Sequence, residues 1–297
     1  MLHPRQFLRR YAVPRHRPAH EGPGLMQRFT FRAALVLLVF FVLTALVGPY
    51  LIEHDPLKGS LRARLDPPGT PGHPLGTDRL GRDMLARIVE GARISLTVCA
   101  VVIAIAGSIG TAVGTLSGYV GGWLDRVLMR LVDLALSLPV ILLALLIGAV
   151  SGPSFGNIVL VISLVLWSQY ARMARGETLR VKTEDYVDLA RTSGLTHVQI
   201  IARHILPNIA PALIVVATLQ VGVVIVLESS LSFLGVGVPP PNPSWGSMVA
   251  EGRSYVVTAW WVSLFPGIAI LLVVMAVNIV GDALTDRINP GLRGRTA

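Results

Sequence analysis

The residues able to carry out chemistry are few and poorly matched to one another. Lys182-Thr183 is the one Lys-Thr pair, and Val181 stands before it, where a phosphate-binding loop needs glycine. No His-Glu-x-x-His occurs, and the seven histidines form no convincing metal-ligand pair at helical spacing, so no metal site is read. The one cysteine, Cys99, lies in an apolar run, which excludes an intrachain disulfide. Carboxylates deep in a bilayer mark ion or proton pathways. Here Asp133, Glu228 and Asp282 stand near the ends of apolar runs instead. An enzyme has no paired catalytic residues to rest on. If the chain moves a solute, the energy enters elsewhere.

The elements that hold these residues follow from composition. The 297 residues are 53% hydrophobic and only 14% charged, with a mean hydropathy of +0.63. A soluble domain carries about 25% charged residues. That deficit excludes a disordered chain, a disulfide scaffold and a nucleic-acid-binding domain. Six apolar runs are candidate membrane helices: Ala33–Ile52, Ile94–Gly118, Leu134–Val150, Asn157–Tyr170 (extended to about Met173), Ile209–Leu227 and Val262–Val280. No charged residue occurs from Ile94 to Leu124, Leu134 to Ala171, His204 to Leu227 or Ser254 to Gly281. Each charge at a helix centre would cost roughly 2.5–3.5 kcal/mol. The expected fold is therefore an all-α polytopic membrane protein with six transmembrane helices.

Net charge is +9, nearly all of it arginine. With the N-terminus inside, the inner segments hold 18 Lys/Arg and the outer ones 8. The expected order is a basic cytoplasmic arm over 1–32, a retained first helix over 33–52, an outer loop over 53–93, a core over 94–282 and a cytoplasmic tail over 283–297. Seven of the outer basic residues fall in the first outer loop, in conflict with the rule.

Ala106, Gly110, Gly114 and Gly118 form a small-residue stripe that lets another helix approach closely. Packing within the chain is the preferred reading, a subunit interface the alternative. Leu75–Ala92 reads as an outer amphipathic helix, with Asp83–Arg87 and Glu90–Arg93 paired along it.

The inner segment 184–208 is too amphipathic for a plain connector. Asp185 can cap a first short helix, and Gly194 ends it in the left-handed C′ position. Thr196 and Gln199 form a capping box for a second, with Val198, Ile201 and Ile205 on one face and Pro207 as its stop.

This segment resembles the EAA loop of binding-protein-dependent ABC importer permeases. Asp188-Leu189-Ala190, Gly194, His204 and Leu206-Pro207 keep its spacing, with departures at Asp188, Leu189 and His204. Two further stretches are similar to the second (C-type) permease of the dipeptide/oligopeptide/nickel branch. They are His73–Asp83, containing Gly76, Thr77, Asp78, Gly81, Arg82 and Asp83, and Leu227–Gly237, followed by Pro239–Gly246. The resemblance implies a type I ABC importer transmembrane fold in the cytoplasmic (inner) membrane, with both termini cytoplasmic. It implies a heterodimer with a second permease subunit, two cytoplasmic ATP-binding subunits that carry ATP and magnesium, and an extracytoplasmic substrate-binding protein. It further implies that Asp188, Leu189, Ala190, Gly194, His204, Leu206 and Pro207 couple to the ATPase and that the outer motif shapes a platform for the binding protein. Gln220 and Glu228, eight residues apart on the fifth helix, become pore-lining candidates, Glu228 near the outer mouth. Peptides lead as substrate, with nickel second. A channel, a secondary carrier or a membrane enzyme would lack such partners.

Overall fold

In a bilayer each backbone N–H must find its carbonyl within its own segment, so apolar runs become helices. The computed structural model describes residues 25–288, and among them there is no strand. The helices are α1 (Leu25–Leu51), α2 (Met84–Val120), α3 (Gly122–Ser137), α4 (Val140–Ser151), α5 (Phe155–Val181), α6 (Asp185–Thr192), α7 (His197–Ile200), α8 (Leu206–Phe233), α9 (Trp245–Gly252) and α10 (Trp261–Ile288). A π-helical turn, Ile201–Ile205, joins α7 to α8. Most of the expected basic arm and tail lies outside the described residues, although α1 begins within 1–32 and α10 runs past 282.

Among the described residues five helices are long and apolar enough to cross a membrane, and α3 with α4 make a sixth passage if the bent pair is one span. The third apolar run is thus not one helix. Pro139 lacks an N–H and drives Leu138 into extended backbone (ψ 122°), and the chain bends by 80° between α3 and α4. The helices also overrun their apolar runs. α2 starts ten residues before Ile94, where the Asp83 carboxylate accepts from the Ala86 N–H at 2.8 Å. α5 continues past Met173 to Val181. Gly121 (φ 73°), Gly122 (φ 63°) and Gly152 (φ 76°) make the tight links on either side of the α3–α4 pair.

α2 and α5 form the centre. Of the apolar stretch of α5, 56% is buried, against 22% for α1 at the periphery. The small-residue stripe accounts for this contact and packs within the chain. A Cβ on Gly110 would lie 2.3 Å from the Trp167 carbonyl oxygen, and one on Gly114 2.2 Å from that of Ala171. Around this pair, Phe41, Val102, Ile162, Leu166, Val224, Trp245 and Val273 fill the main core.

Gly114→Ala should therefore force the two backbones apart, at about 1–3 kcal/mol. Gly107→Ala should not, because its Cβ would meet the Tyr170 ring at an ordinary van der Waals distance, 3.6 Å or more. Thermal unfolding of the detergent-purified chain should drop for the first variant only; equal midpoints would refute this packing account.

Candidate functional site

At one end of the bundle the segment 184–208 is a rigid two-part element. α6 begins after Glu184, which makes no side-chain cap, so Asp185 is not the cap. Asp185 and Asp188 instead sit in the first turn, where negative charge suits the helix dipole. Gly194 has φ 82°, the Gly194 N–H donates to the Arg191 carbonyl (3.0 Å) and the Leu195 N–H to that of Ala190 (3.2 Å). Those two bonds are a Schellman closure. Nothing lies within 4 Å of a Gly194 Cβ, so this chain leaves the space above it open. The Thr196–Gln199 capping box is present.

The second part departs from a regular helix. Pro207 stops nothing: His197–Phe233 is a single run of 37 residues. The Leu206 N–H reaches back five residues to the Ile201 carbonyl. This wider turn puts Ile200 and Ile205 on the same buried face, five residues apart, with Ile209 below them. A uniform helical period chooses Val198 for that face, yet Val198 is 76% exposed.

The loop is fastened to the bundle by its inner face. Val187, Ala190, Ile200, Ile205 and Ile209 pack with Tyr119, Ala174 and Val181. The Tyr119 hydroxyl and His197 Nδ1 are hydrogen-bonded at 2.8 Å. Lys182 Nζ donates to the Gly118 and Tyr119 carbonyls (3.2 and 2.9 Å), closing the C-terminal end of α2. Of the expected coupling residues, Ala190 faces inward and His204 is half-buried beside Tyr186. Asp188, Leu189, Leu206 and Pro207 face outward, Leu189 with 67% exposure. Asp188 pairs with Arg191 at 3.1 Å. The Tyr119 and Lys182 contacts bridge residues 63 to 78 apart in sequence and carry no local signal.

At the opposite end, Leu75–Ala92 is not one amphipathic helix. Residues 75–83 are turns, and the rest is the buried start of α2. Asp83 caps α2 and accepts from His73 at 2.9 Å; it does not pair through its side chain with Arg87. Arg87 is buried with Asp78 (3.4 Å) and Glu251 of α9 (3.2 Å). Arg82 joins the same two carboxylates at 2.6 and 3.1 Å. The Thr77 hydroxyl donates to the Ala63 carbonyl and accepts from the Asp66 N–H. Gly81, at φ 70°, lies against the Ser60 carbonyl, where a Cβ would sit 1.8 Å away. The motif residues are therefore a knot that ties the loop to α2 and α9. Within it Arg82 and Arg87, two of the loop's seven basic residues, are internally paired.

Gln220 and Glu228 are turned into the chain's own packing. Gln220 donates to the Gln169 side chain on α5. Glu228 is fully buried, accepts from Ser232 (2.8 Å) and Ser95 (3.5 Å), and thereby links α8 to α2. Within this chain Glu228 faces neighbouring helices and not an open surface. Gly152-Pro153-Ser154-Phe155-Gly156 has the Gly-x-Ser-x-Gly spacing of a hydrolase elbow, which sequence reading missed. It joins two helices instead of a strand to a helix, and Ser154 caps α5 by accepting from the Asn157 N–H at 3.1 Å.

Removing one charge from the knot should loosen it. Glu251→Gln leaves Arg82 and Arg87 with Asp78 alone, a loss on the order of 3 kcal/mol for a broken buried pair. Faster proteolysis of residues 52–83 in intact membranes should report it; unchanged cleavage would show that the knot does not hold the loop.

Comparison with known proteins accords with this architecture. Residues 110–294 match the model of the family described as "Binding-protein-dependent transport system inner membrane component". The dipeptide transport system permease protein DppC of Escherichia coli K12 is 41% identical over 264 residues, covering 87% of this chain and 88% of its own. The di/tripeptide transport system permease protein DppC of Pseudomonas aeruginosa is 38% identical over 264 residues, covering 87% of each. Inward-facing structures of the MetNI methionine ABC transporter include a chain with TM-score 0.58 at 20% identity, covering 69% of this chain and 97% of that one. The chain belongs to the binding-protein-dependent transport system inner-membrane family and is a multi-pass membrane permease component of the ABC-importer type.

Proposed function

We propose that this chain is the C-type permease subunit of an importer for di- and oligopeptides. Dipeptides, di- and tripeptides are what the relatives at 41% and 38% identity are named for, which favours peptides over nickel. In this reading a second permease completes the pore, and two cytoplasmic ATPase subunits hold ATP and magnesium. A binding protein outside delivers the substrate. The 18-to-8 bias of Lys/Arg supports cytoplasmic termini and a cytoplasmic 184–208 loop.

The observation that carries the coupling role is the two-sidedness of that loop. Its inner face is buried in the bundle, while Leu189 and Val198 stand exposed on its outer face beside Asp188. Exposed apolar side chains on a rigid element fit a protein groove. Force on this element would pass along His197–Phe233, about 55 Å of unbroken helix at ~1.5 Å per residue. At its far end Glu228 ties that helix to Ser95 of α2, so a push at the loop would reach the opposite side of the bundle.

Two substitutions test this in proteoliposomes holding all the proposed subunits. Leu189→Glu changes only the outer face, so it should leave thermal stability unchanged and cut ATP-driven peptide uptake at least tenfold. Gly194→Val forces a β-branched residue to φ 82°, at about 1–2 kcal/mol or more, and should uncouple hydrolysis from uptake. Normal uptake and hydrolysis in both variants would refute docking through this loop.

A further inference from the structure

Beside the end of the bundle that carries the 184–208 loop, α3 and α5 flank an open cavity of about 550 Å³. Four arginines and two aspartates line it. Arg175 holds Asp125 in a bidentate pair at 2.6 and 2.7 Å, and Arg172 holds Asp133 at 2.8 Å. Both aspartates are thereby neutralised. Arg126 and Arg130 have no ion pair or side-chain hydrogen bond among the described residues. They sit four apart on one helix, where like charges repel. The cavity thus presents two uncompensated guanidinium groups and asks for an anion.

The surroundings say which kind. Trp123, Val127, Leu131 and Leu134 follow one another at three- and four-residue steps along α3, Leu138 stands just past its end, and all are exposed. This apolar stripe runs beside the arginines on the same helix. The 80° bend at Pro139 turns α3 out of line with the apolar α4, which suits a helix lying along a bilayer surface. Guanidinium groups bind phosphate oxygens through paired N–H donors, and basic pockets between membrane helices take lipid headgroups. We propose that this cavity binds the phosphate headgroup of an anionic phospholipid, with Arg126 and Arg130 on its oxygens and the Trp123–Leu138 stripe against its acyl chains.

The test uses the full chain, purified in detergent and stripped of lipid. It is titrated with phosphatidylglycerol, with phosphatidylcholine of the same chain length, and with inorganic phosphate. Retained lipid is counted by native mass spectrometry, and thermal midpoints are measured alongside. Phosphatidylglycerol should bind at least tenfold more tightly than phosphatidylcholine. The Arg126→Gln/Arg130→Gln double variant should lose that preference yet unfold at the parent temperature without lipid, because both side chains are exposed. Arg180→Gln, outside the cavity, should keep the preference. Equal retention of the two lipids by the parent, or an undiminished preference in the double variant, overturns the proposal. Inorganic phosphate reproducing the whole midpoint shift overturns the lipid assignment in favour of a free anion.

Discussion

Close approach of two helix backbones, α2 against α5, is the contact around which the other elements are arranged. Lipid offers no hydrophobic drive between helices, so association depends on dispersion across surfaces that fit. Gly110 and Gly114 let α2 lie directly on the carbonyls of Trp167 and Ala171. Side chains there would separate the axes, and the core residues that fill the space around the pair would lose their partners. Because α2 runs on beyond this contact, it also positions what lies at each end. Tyr119, next to the last glycine of the stripe, meets the 184–208 loop at His197, and Lys182, just before that loop, closes the end of α2. Ser95 and Arg87, toward the other end, meet α8 and α9.

Polar groups follow the same logic by depth. Charged pairs lie at the two ends: Asp78, Arg82, Arg87 and Glu251 at one, Asp125 with Arg175 at the other. Between them, Gln169 is matched with Gln220, and Glu228 with serine hydroxyls. Glu228 and the Gln220 amide nitrogen find partners in the same chain, while the Gln220 side-chain oxygen is buried without one.

The spans were legible because a bilayer penalises charge so steeply that each run announces itself. Their ends were not. Arg87 looks like a surface residue until Glu251, 164 positions away, is brought beside it. Hydropathy therefore places the start of α2 ten residues late. The break at Pro139 was legible from residue type, since a proline kinks or starts a helix, but its 80° angle was not, because hydropathy over Leu134–Val150 does not register direction. In the loop, local chemistry was readable where it depends on neighbours in sequence. Gly194 and the Thr196–Gln199 box stand where their residue types require. The face of the following helix was misassigned because a π turn changes the period just where the period was being used. His73–Asp83 was recognisable as a motif, but its role as a knot rests on turns and on partners from α9.

That π turn bears on how the loop and the bundle act together. A proline at position 207 would ordinarily end a helix, leaving the loop hinged to α8. The wider turn just before it lets the backbone carry through, and Ile200, Ile205 and Ile209 bury one continuous edge across the irregularity. Loop and helix are thus one mechanical piece on the α8 side. On the α5 side the connection is tighter still, since Lys182 to Glu184 pass straight into α6 through backbone bonds to Thr178 and Val181. A loop clamped at both ends cannot swing independently of the helices it joins. Any displacement imposed on its outer face must move α5 and α8, and through their shared contact with α2 it must be felt across the whole bundle.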